Sequence, residues 1–181
     1  MQANIILVGL MGAGKSTVGR QLARHYRLDF YDSDKVIEQR TGVNIPTIFE
    51  IEGEEGFRER EAQVIRELCS RKGIVLATGG GSVLRADNRS SLKAGGTVIY
   101  LKASAEQLYA RIGHDRNRPL MQTDNPLATL QQLLQKREAW YAEVADIILP
   151  TGKQRVAQLV RTLSHKLTQL QAPLTHENAQ S

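Results

Sequence analysis

Gly9-Leu10-Met11-Gly12-Ala13-Gly14-Lys15-Ser16-Thr17 is the stretch on which the reading of this chain turns. It holds a glycine, four residues and then Gly-Lys-Ser, the pattern of a phosphate-binding loop (P-loop). Glycines let the backbone wrap a polyphosphate so that successive N–H groups point inward, and the helix that follows adds its positive N-terminal end. Lys15 has the reach to meet β- and γ-phosphate oxygens as a point charge, and the Ser16 hydroxyl is suited to ligate Mg2+. A glycine-rich strand–helix turn without a ligand is the competing reading. With glycine at ~7% of residues, a chance match in a chain of this length comes roughly once in a hundred or more rarely. The flanks also agree with the motif. Asn4-Ile5-Ile6-Leu7-Val8 is a continuous apolar run suited to a strand buried on both faces, and Val18, Leu22 and Ala23 share one face of a following helix.

The same strand signature returns at Ile74–Thr78 and Thr97–Leu101, more briefly at Asp146–Pro150, and weakly at Leu28–Asp32. Helical patterns separate these runs. Val156, Leu159, Val160, Leu163, Leu167 and Leu170 keep 3.6-residue spacing and predict a final amphipathic helix. Another helix reads through Phe57, Glu61, Val64, Ile65 and Leu68 and closes near Arg71-Lys72-Gly73, basic residues followed by glycine. Strands alternating with helices predict an α/β fold with a parallel sheet covered on both faces. The segment from Gly113 to Pro126 is polar and turn-rich and reads as a mobile surface loop. From Pro173 to Ser181 there is little to bury, so a disordered tail is expected.

With 181 residues, 41% of them apolar and 24% charged, the chain suits one globular domain with a sizeable core and is too apolar for a disordered polypeptide. Its single cysteine excludes an internal disulfide framework and a cysteine-built zinc site. No apolar run approaches the ~20 residues of a membrane span. The start, Met1-Gln2-Ala3-Asn4, carries no basic n-region, so a soluble, cytoplasmic protein without a membrane partner is expected. The net charge of +5 fits either a nucleic-acid binder or an enzyme with anionic substrates. Cations are scattered with no run of three, and aromatics make up only 5%, too few for a base-stacking platform. Small anionic substrates are the better match, and no nucleic-acid partner is expected.

Three further stretches bear on chemistry. Ile74–Thr78 runs into Gly79-Gly80-Gly81-Ser82 instead of the acidic strand end usual among P-loop proteins. Three glycines in succession cost conformational entropy and permit close approach of backbone to a ligand or to the P-loop. Asp32-Ser33-Asp34 either orients Mg2+ and an acceptor hydroxyl, or supplies a cap, from Ser33 or Asp34, to a helix over Lys35–Arg40; spacing alone favours the cap. Glu52-Gly53-Glu54-Glu55-Gly56-Phe57-Arg58 precedes a helix on which Arg58 and Glu61 stand at i, i+3, the spacing of an ordinary surface ion pair. Arg58 becomes an anion clamp only if the fold places it beside the other motifs.

Together the P-loop, the Tyr31-Asp32-Ser33-Asp34, the Glu52–Arg58 stretch, the Ala77-Thr78-Gly79-Gly80-Gly81-Ser82 and an Arg118-Pro119-Leu120 resemble bacterial shikimate kinases, in that family's order and spacing from about Asn4 to Leu170. The resemblance implies a three-layer α-β-α P-loop kinase fold of the nucleoside-monophosphate-kinase type, with a five-stranded parallel sheet in the order 2-3-1-4-5. It implies a single domain over residues 1–172, with a substrate-binding helical region at about 34–61 and a lid at about 113–126. The implied activity is ATP-dependent phosphorylation of the shikimate 3-hydroxyl, with Mg2+, in aromatic amino-acid biosynthesis. By motif, Gly12, Ala13, Gly14, Lys15, Ser16 and Thr17 would hold the phosphates, with Ser16 and Asp32 at the metal. Asp34 would bind shikimate hydroxyls, Arg58 and Arg137 its carboxylate, and Gly80 would offer backbone. Arg118 would come from the lid onto the phosphates, and Arg111 and Gln154 would lie near adenine. Lys15, Asp34 and Arg118 are the expected catalytic residues.

The chemistry suits these residue types independently. Shikimate is a small monoanion with three hydroxyls, and arginine's rigid fork matches a carboxylate bidentately. Phe49 and Phe57 either wall a pocket or are plain core. Cys69, Trp140 and Tyr141 read as packing, and the histidines have no ligand spacing. The rivals are a P-loop kinase for gluconate or a nucleoside monophosphate, and a nucleotide switch with no acceptor. No apolar stripe calls for a partner, so a monomer is expected.

Overall fold

β1 (Ile5–Val8) lies at the centre of a five-stranded parallel sheet ordered β2-β3-β1-β4-β5, as the resemblance implied. In the computed structural model, which describes residues 3–113, 115 and 121–171, the other strands are β2 (Asp29–Asp32), β3 (Ile74–Ala77), β4 (Thr97–Lys102) and β5 (Ile147–Pro150). The helices are α1 (Lys15–Tyr26), α2 (Ser33–Thr41), α3 (Ile45–Ser70), α4 (Ala86–Gly95), α5 (Ala105–Ile112), α6 (Pro126–Val144) and α7 (Val156–Gln171). Every residue of β1 and β3 is buried, which is what an unbroken apolar run requires of a strand covered on both faces. Exposed positions fall on the edge strands β2 and β5 and at Lys102, the last residue of β4.

The strand order places the site. From β1 the chain runs through α1 to β2 at one edge, returns to β3 beside β1, and then crosses to β4 on the other side of β1. The segments leaving β1, β2 and β3 therefore emerge side by side at the carboxyl end of the sheet, where open α/β sheets bind ligands. The register fixes their level, with Leu7 and Asp32 both opposite Ala77. Thr78 reinforces it, donating from both its backbone N–H (3.1 Å) and its hydroxyl (2.9 Å) to the Leu7 carbonyl.

At the opposite end of the sheet the buried Asn4 performs a similar task. Its amide donates to the carbonyls of Arg71 (2.6 Å) and Gly95 (2.9 Å), and its side-chain oxygen accepts from the Ile74 N–H (3.1 Å). One side chain thus ties the start of β1 to the ends of α3 and α4 and the start of β3.

Two local expectations are corrected. The cap of α2 is Asp32 rather than Ser33 or Asp34: its Oδ1 accepts from the N–H groups of Asp34 (3.0 Å) and Lys35 (3.3 Å), so the helix begins at Ser33. The helix expected from Phe57 is preceded by a further helical segment from Ile45, capped by Asn44; the two segments of α3 meet at a kink where Gly53 leaves helical geometry with φ +71°, a conformation open to glycine. A bidentate Arg60–Glu52 pair spans the bend. The expected tail at 173–181 and part of the turn-rich expected lid, including Arg118, lie outside the described residues.

Replacing Asn4 by alanine leaves two carbonyls and one N–H without partners. A loss of about 2–4 kcal/mol is expected in denaturant unfolding. Substrate KM values should stay unchanged, because Asn4 is a strand's length from the carboxyl end of the sheet. An unfolding midpoint equal to the parent's would refute the tie.

Candidate active site

Gly12 (φ +82°) and Gly14 (φ +93°) take left-handed conformations that would strain a side chain, and they curl the chain between β1 and α1. Gly14 caps α1 without any side-chain hydrogen bond, and the first turn of α1 carries no acidic residue. The leading N–H groups of Lys15, Ser16 and Thr17 thus lack intrahelical partners and carry the positive end of the helix, an anion site in the sense of any exposed helix N-terminus. The Lys15 side chain is buried, and its ammonium donates to the carbonyls of Gly9 (2.8 Å) and Leu10 (2.9 Å), folded across the loop.

Asp32 uses both carboxylate oxygens. While Oδ1 caps α2, Oδ2 accepts the Ser16 hydroxyl at 2.6 Å. The two readings of the Asp-Ser-Asp stretch are therefore compatible, since the capping residue is also the one facing Ser16. A hydroxyl beside a carboxylate oxygen is a donor set suited to Mg2+, which takes one or two protein oxygens and completes its shell with water and phosphate. Among the described residues there is no cluster of three His, Cys, Asp or Glu side chains that would form an all-protein metal cage. The residues present fit a phosphate-borne Mg2+.

A cleft of about 930 Å3 runs from this loop to the start of α3. Lys15, Asp34, Arg58, Gly80, Arg111 and Arg137 all line it, together with Phe49 and Phe57. The two phenyl rings pack against each other with centroids 4.8 Å apart, and Phe57 also belongs to the core, so both earlier readings of the pair hold. Gln154 lies outside this lining; it accepts the Gly152 N–H at 2.7 Å. Arg111 bridges the same Gly152, through its carbonyl, to the Gly12 carbonyl, each at 3.0 Å. The two rim residues thus meet at one loop beside the P-loop.

The inner wall of the cleft corrects the reading of Arg58 and Glu61 as a surface pair. Glu61 has no exposed surface, and the Arg58 side chain is 14% exposed. Arg58 donates to Glu61 at 2.9 Å and reaches Glu54 at 3.3 Å. Burial pushes the Glu61 carboxyl above its ordinary range, opposed chiefly by the Arg58 guanidinium and then by Arg137, which is itself buried. Asp34 is partly buried, and its Oδ1 is inaccessible and has no hydrogen-bond partner. Desolvation, with the charges of Glu61 and Asp32, raises its pKa to about 7 against the opposing pull of Lys15 and Arg58.

The glycine run is what lets these groups converge. A methyl group on Gly79 would sit 2.7 Å from Asp34 Oδ1 and 3.1 Å from Glu61 Oε2. On Gly81 it would overlap the guanidinium of Arg58. The fully buried Ser33 accepts the Gly79 N–H at 3.1 Å, and the Tyr141 hydroxyl donates to the Gly80 carbonyl. Glu61, Ser33 and Tyr141 went unassigned from the sequence. Glu61 alone left a signal, as a carboxylate in the apolar series Phe57, Val64, Ile65, Leu68. Tyr141, expected to be packing, is packed but also hydrogen-bonded.

A phosphate-binding loop facing a cleft that buries two arginines and two carboxylates on this sheet defines a P-loop phosphotransferase with a small acceptor. Comparison with known proteins supplies the family. The family model for shikimate kinase matches residues 11–168. The shikimate kinase of Thiobacillus denitrificans is 59% identical over 172 residues, covering 95% of this chain and 94% of that protein. That of Pseudomonas entomophila is 56% identical over 167 residues, covering 92% and 97%. The structure of Acinetobacter baumannii shikimate kinase in complex with shikimate superposes with a TM-score of 0.92 at 46% identity, covering 94% of this chain and 95% of that one. The chain belongs to the shikimate kinase family.

Gly81→Ala should force the Arg58 guanidinium off its position and lower kcat/KM for the acid substrate by about tenfold to a hundredfold. The KM for ATP should hold within about twofold. A variant with parental kinetics would show that Arg58 does not need this close approach.

Proposed function

We propose that this chain transfers the γ-phosphoryl group of ATP to the 3-hydroxyl of shikimate, giving 3-phosphoshikimate and ADP on the route to aromatic amino acids, as a cytoplasmic monomer with no nucleic-acid or membrane partner. The observation that carries the reading is one cleft holding both the P-loop and the buried Arg58–Glu61–Arg137 group. Together with the family membership, it matches a nucleotide and a small monoanion to adjacent sites. Among the described residues no helix is long and apolar enough to cross a membrane.

In this reading the N–H groups from Gly12 to Thr17 bind the phosphates, and Lys15 moves its ammonium from loop carbonyls onto their β- and γ-oxygens. Ser16 and Asp32 would hold Mg2+, which when bound neutralises phosphate charge. Arg58 and Arg137 take the acid carboxylate, and Gly80 offers backbone to the ring substituents. Asp34 turns its unpartnered Oδ1 to the acceptor hydroxyl, orienting it and, with a pKa near neutrality, taking its proton as the new P–O bond forms. Arg118 is assigned to the phosphates, and Arg111 and Gln154 to the adenine end.

The direct test is ATP turnover with shikimate, quinate, gluconate or CMP as acceptor. Shikimate should raise turnover at least a hundredfold over ATP alone. Equal stimulation by gluconate or CMP would assign the cleft to another acceptor, and slow hydrolysis indifferent to all four would mark a nucleotide switch.

Asp34 also predicts a pH dependence. Its folded pKa, about 7, lies above the ordinary value of 3.8. The native state therefore binds more protons than the unfolded chain between these values, and Asp34 lowers stability progressively as pH rises through that window. Asp34→Asn should become more stable relative to the parent between about pH 4 and 7, as measured by urea unfolding, while shikimate phosphorylation falls at least a hundredfold. A constant stability difference across that range would contradict the shifted carboxyl.

A further inference from the structure

Tyr141 stands outside the set of residues that face the cleft, yet its hydroxyl reaches the glycine run from the far side. The side chain is fully buried, its ring packs on Tyr100 with centroids 5.1 Å apart, and its hydroxyl donates to the Gly80 carbonyl across 61 residues of sequence. It lies one helical turn beyond Arg137 on α6, so the two side chains share a face. Gly80 itself is a junction. A methyl built on it would contact the P-loop at the Met11 N–H (3.4 Å) on one side and the Arg137 guanidinium (3.7 Å) on the other.

We propose that Tyr141 is a positioning residue for the acid substrate: its hydroxyl fixes the Gly80 peptide against the Arg137 guanidinium, so that the backbone and the cation meet shikimate as one preformed surface. This rests on the assignment of Arg137 and Gly80 to shikimate made above. The chemistry favours a locked phenol. The bond from a fully buried phenol to the partly buried Gly80 carbonyl favours one orientation of that peptide while Tyr141 is present. A phenol also supplies the donor with only two rotatable side-chain bonds, and here the ring is clamped by Tyr100. Burial raises the phenol well above its ordinary pKa, against the pull of the neighbouring Arg137, so it remains a donor across the working pH range.

Tyr141→Phe removes the donor and keeps the ring and its contact with Tyr100. Shikimate KM is expected to rise about tenfold, with kcat and the KM for ATP within about twofold of the parent. Tyr100→Phe is the matching control, because the Tyr100 hydroxyl is buried with no hydrogen-bond partner; it should leave all three constants unchanged. Circular dichroism and the melting-temperature rise on adding shikimate accompany both variants, and in Tyr141→Phe that rise should shrink while the fold is retained. An unchanged shikimate KM in Tyr141→Phe would overturn the proposal. So would a parallel rise in both KM values, or an equal effect of Tyr100→Phe, since either would reduce Tyr141 to packing. A parent enzyme that does not phosphorylate shikimate would instead overturn the functional reading on which the proposal rests.

Discussion

Glu61 is a carboxylate with no exposed surface, and much of the cleft is arranged around that fact. Taking one charge out of water costs several kcal/mol unless opposite charge and hydrogen bonds accompany it. Arg58 supplies both, at 2.9 Å, and Arg137 adds a second positive charge. Neither guanidinium is cancelled, because one carboxylate is set between two of them. Glu61 thus holds Arg58 in place by a direct bond and lowers the cost of burying Arg137, while an excess of positive charge faces the cleft. Truncating it would remove the carboxylate that Arg58 bonds at 2.9 Å and leave the buried Arg137 short of compensating charge.

The same constraint explains the three glycines. Bringing Asp34, Glu61 and Arg58 against one segment of backbone leaves no room for a methyl group at Gly79 or Gly81. That segment could not instead move away, because Thr78 is hydrogen-bonded to Leu7 at the end of β1, and β1 is the strand that opens into the P-loop. The proposed phosphate and acid sites are therefore joined through two adjacent parallel strands. Transfer between bound partners depends mainly on their separation and on orientation, so a rigid seam between β1 and β3 has a direct catalytic meaning.

The sequence made the sheet legible because four of its strands are short apolar runs, β2 (Asp29–Asp32) being the weakly signalled one with an acid at each end. The P-loop was legible because its glycines, lysine and serine must be contiguous. The strand order came from family resemblance, since periodicity carries no information on which strands are neighbours. The Asp32 cap was missed by one residue, because Asp32, Ser33 and Asp34 are all good caps and only backbone geometry separates them. The segment of α3 before Gly53 was missed because the helical reading began only at Phe57; Gly53 marks the kink between the two segments, and the Arg60–Glu52 pair spans it. Arg58 and Glu61 were identified as a pair but misjudged in strength, because i, i+3 spacing says nothing of burial. Ser33 and Tyr141 act through contacts 46 and 61 residues away, which no local pattern encodes.

The net charge of +5 is spread over the chain and identifies no ligand. In the proposed reading, what selects the acid is the balance among four side chains that line the cleft, Arg58, Arg137, Glu61 and Asp34. With all four ionised they sum to zero and would hold a carboxylate weakly. Burial and the nearby carboxylates keep Asp34 on the edge of protonation, so the group is able to carry about one net positive charge when a monoanion arrives. The proton on Asp34 is then the adjustable element. Phosphoryl transfer requires an acceptor hydroxyl beside the unpartnered Asp34 oxygen, and that hydroxyl passes its proton there only when the carboxyl is ionised, so recognition of the acid and readiness of its hydroxyl are coupled through one carboxyl group.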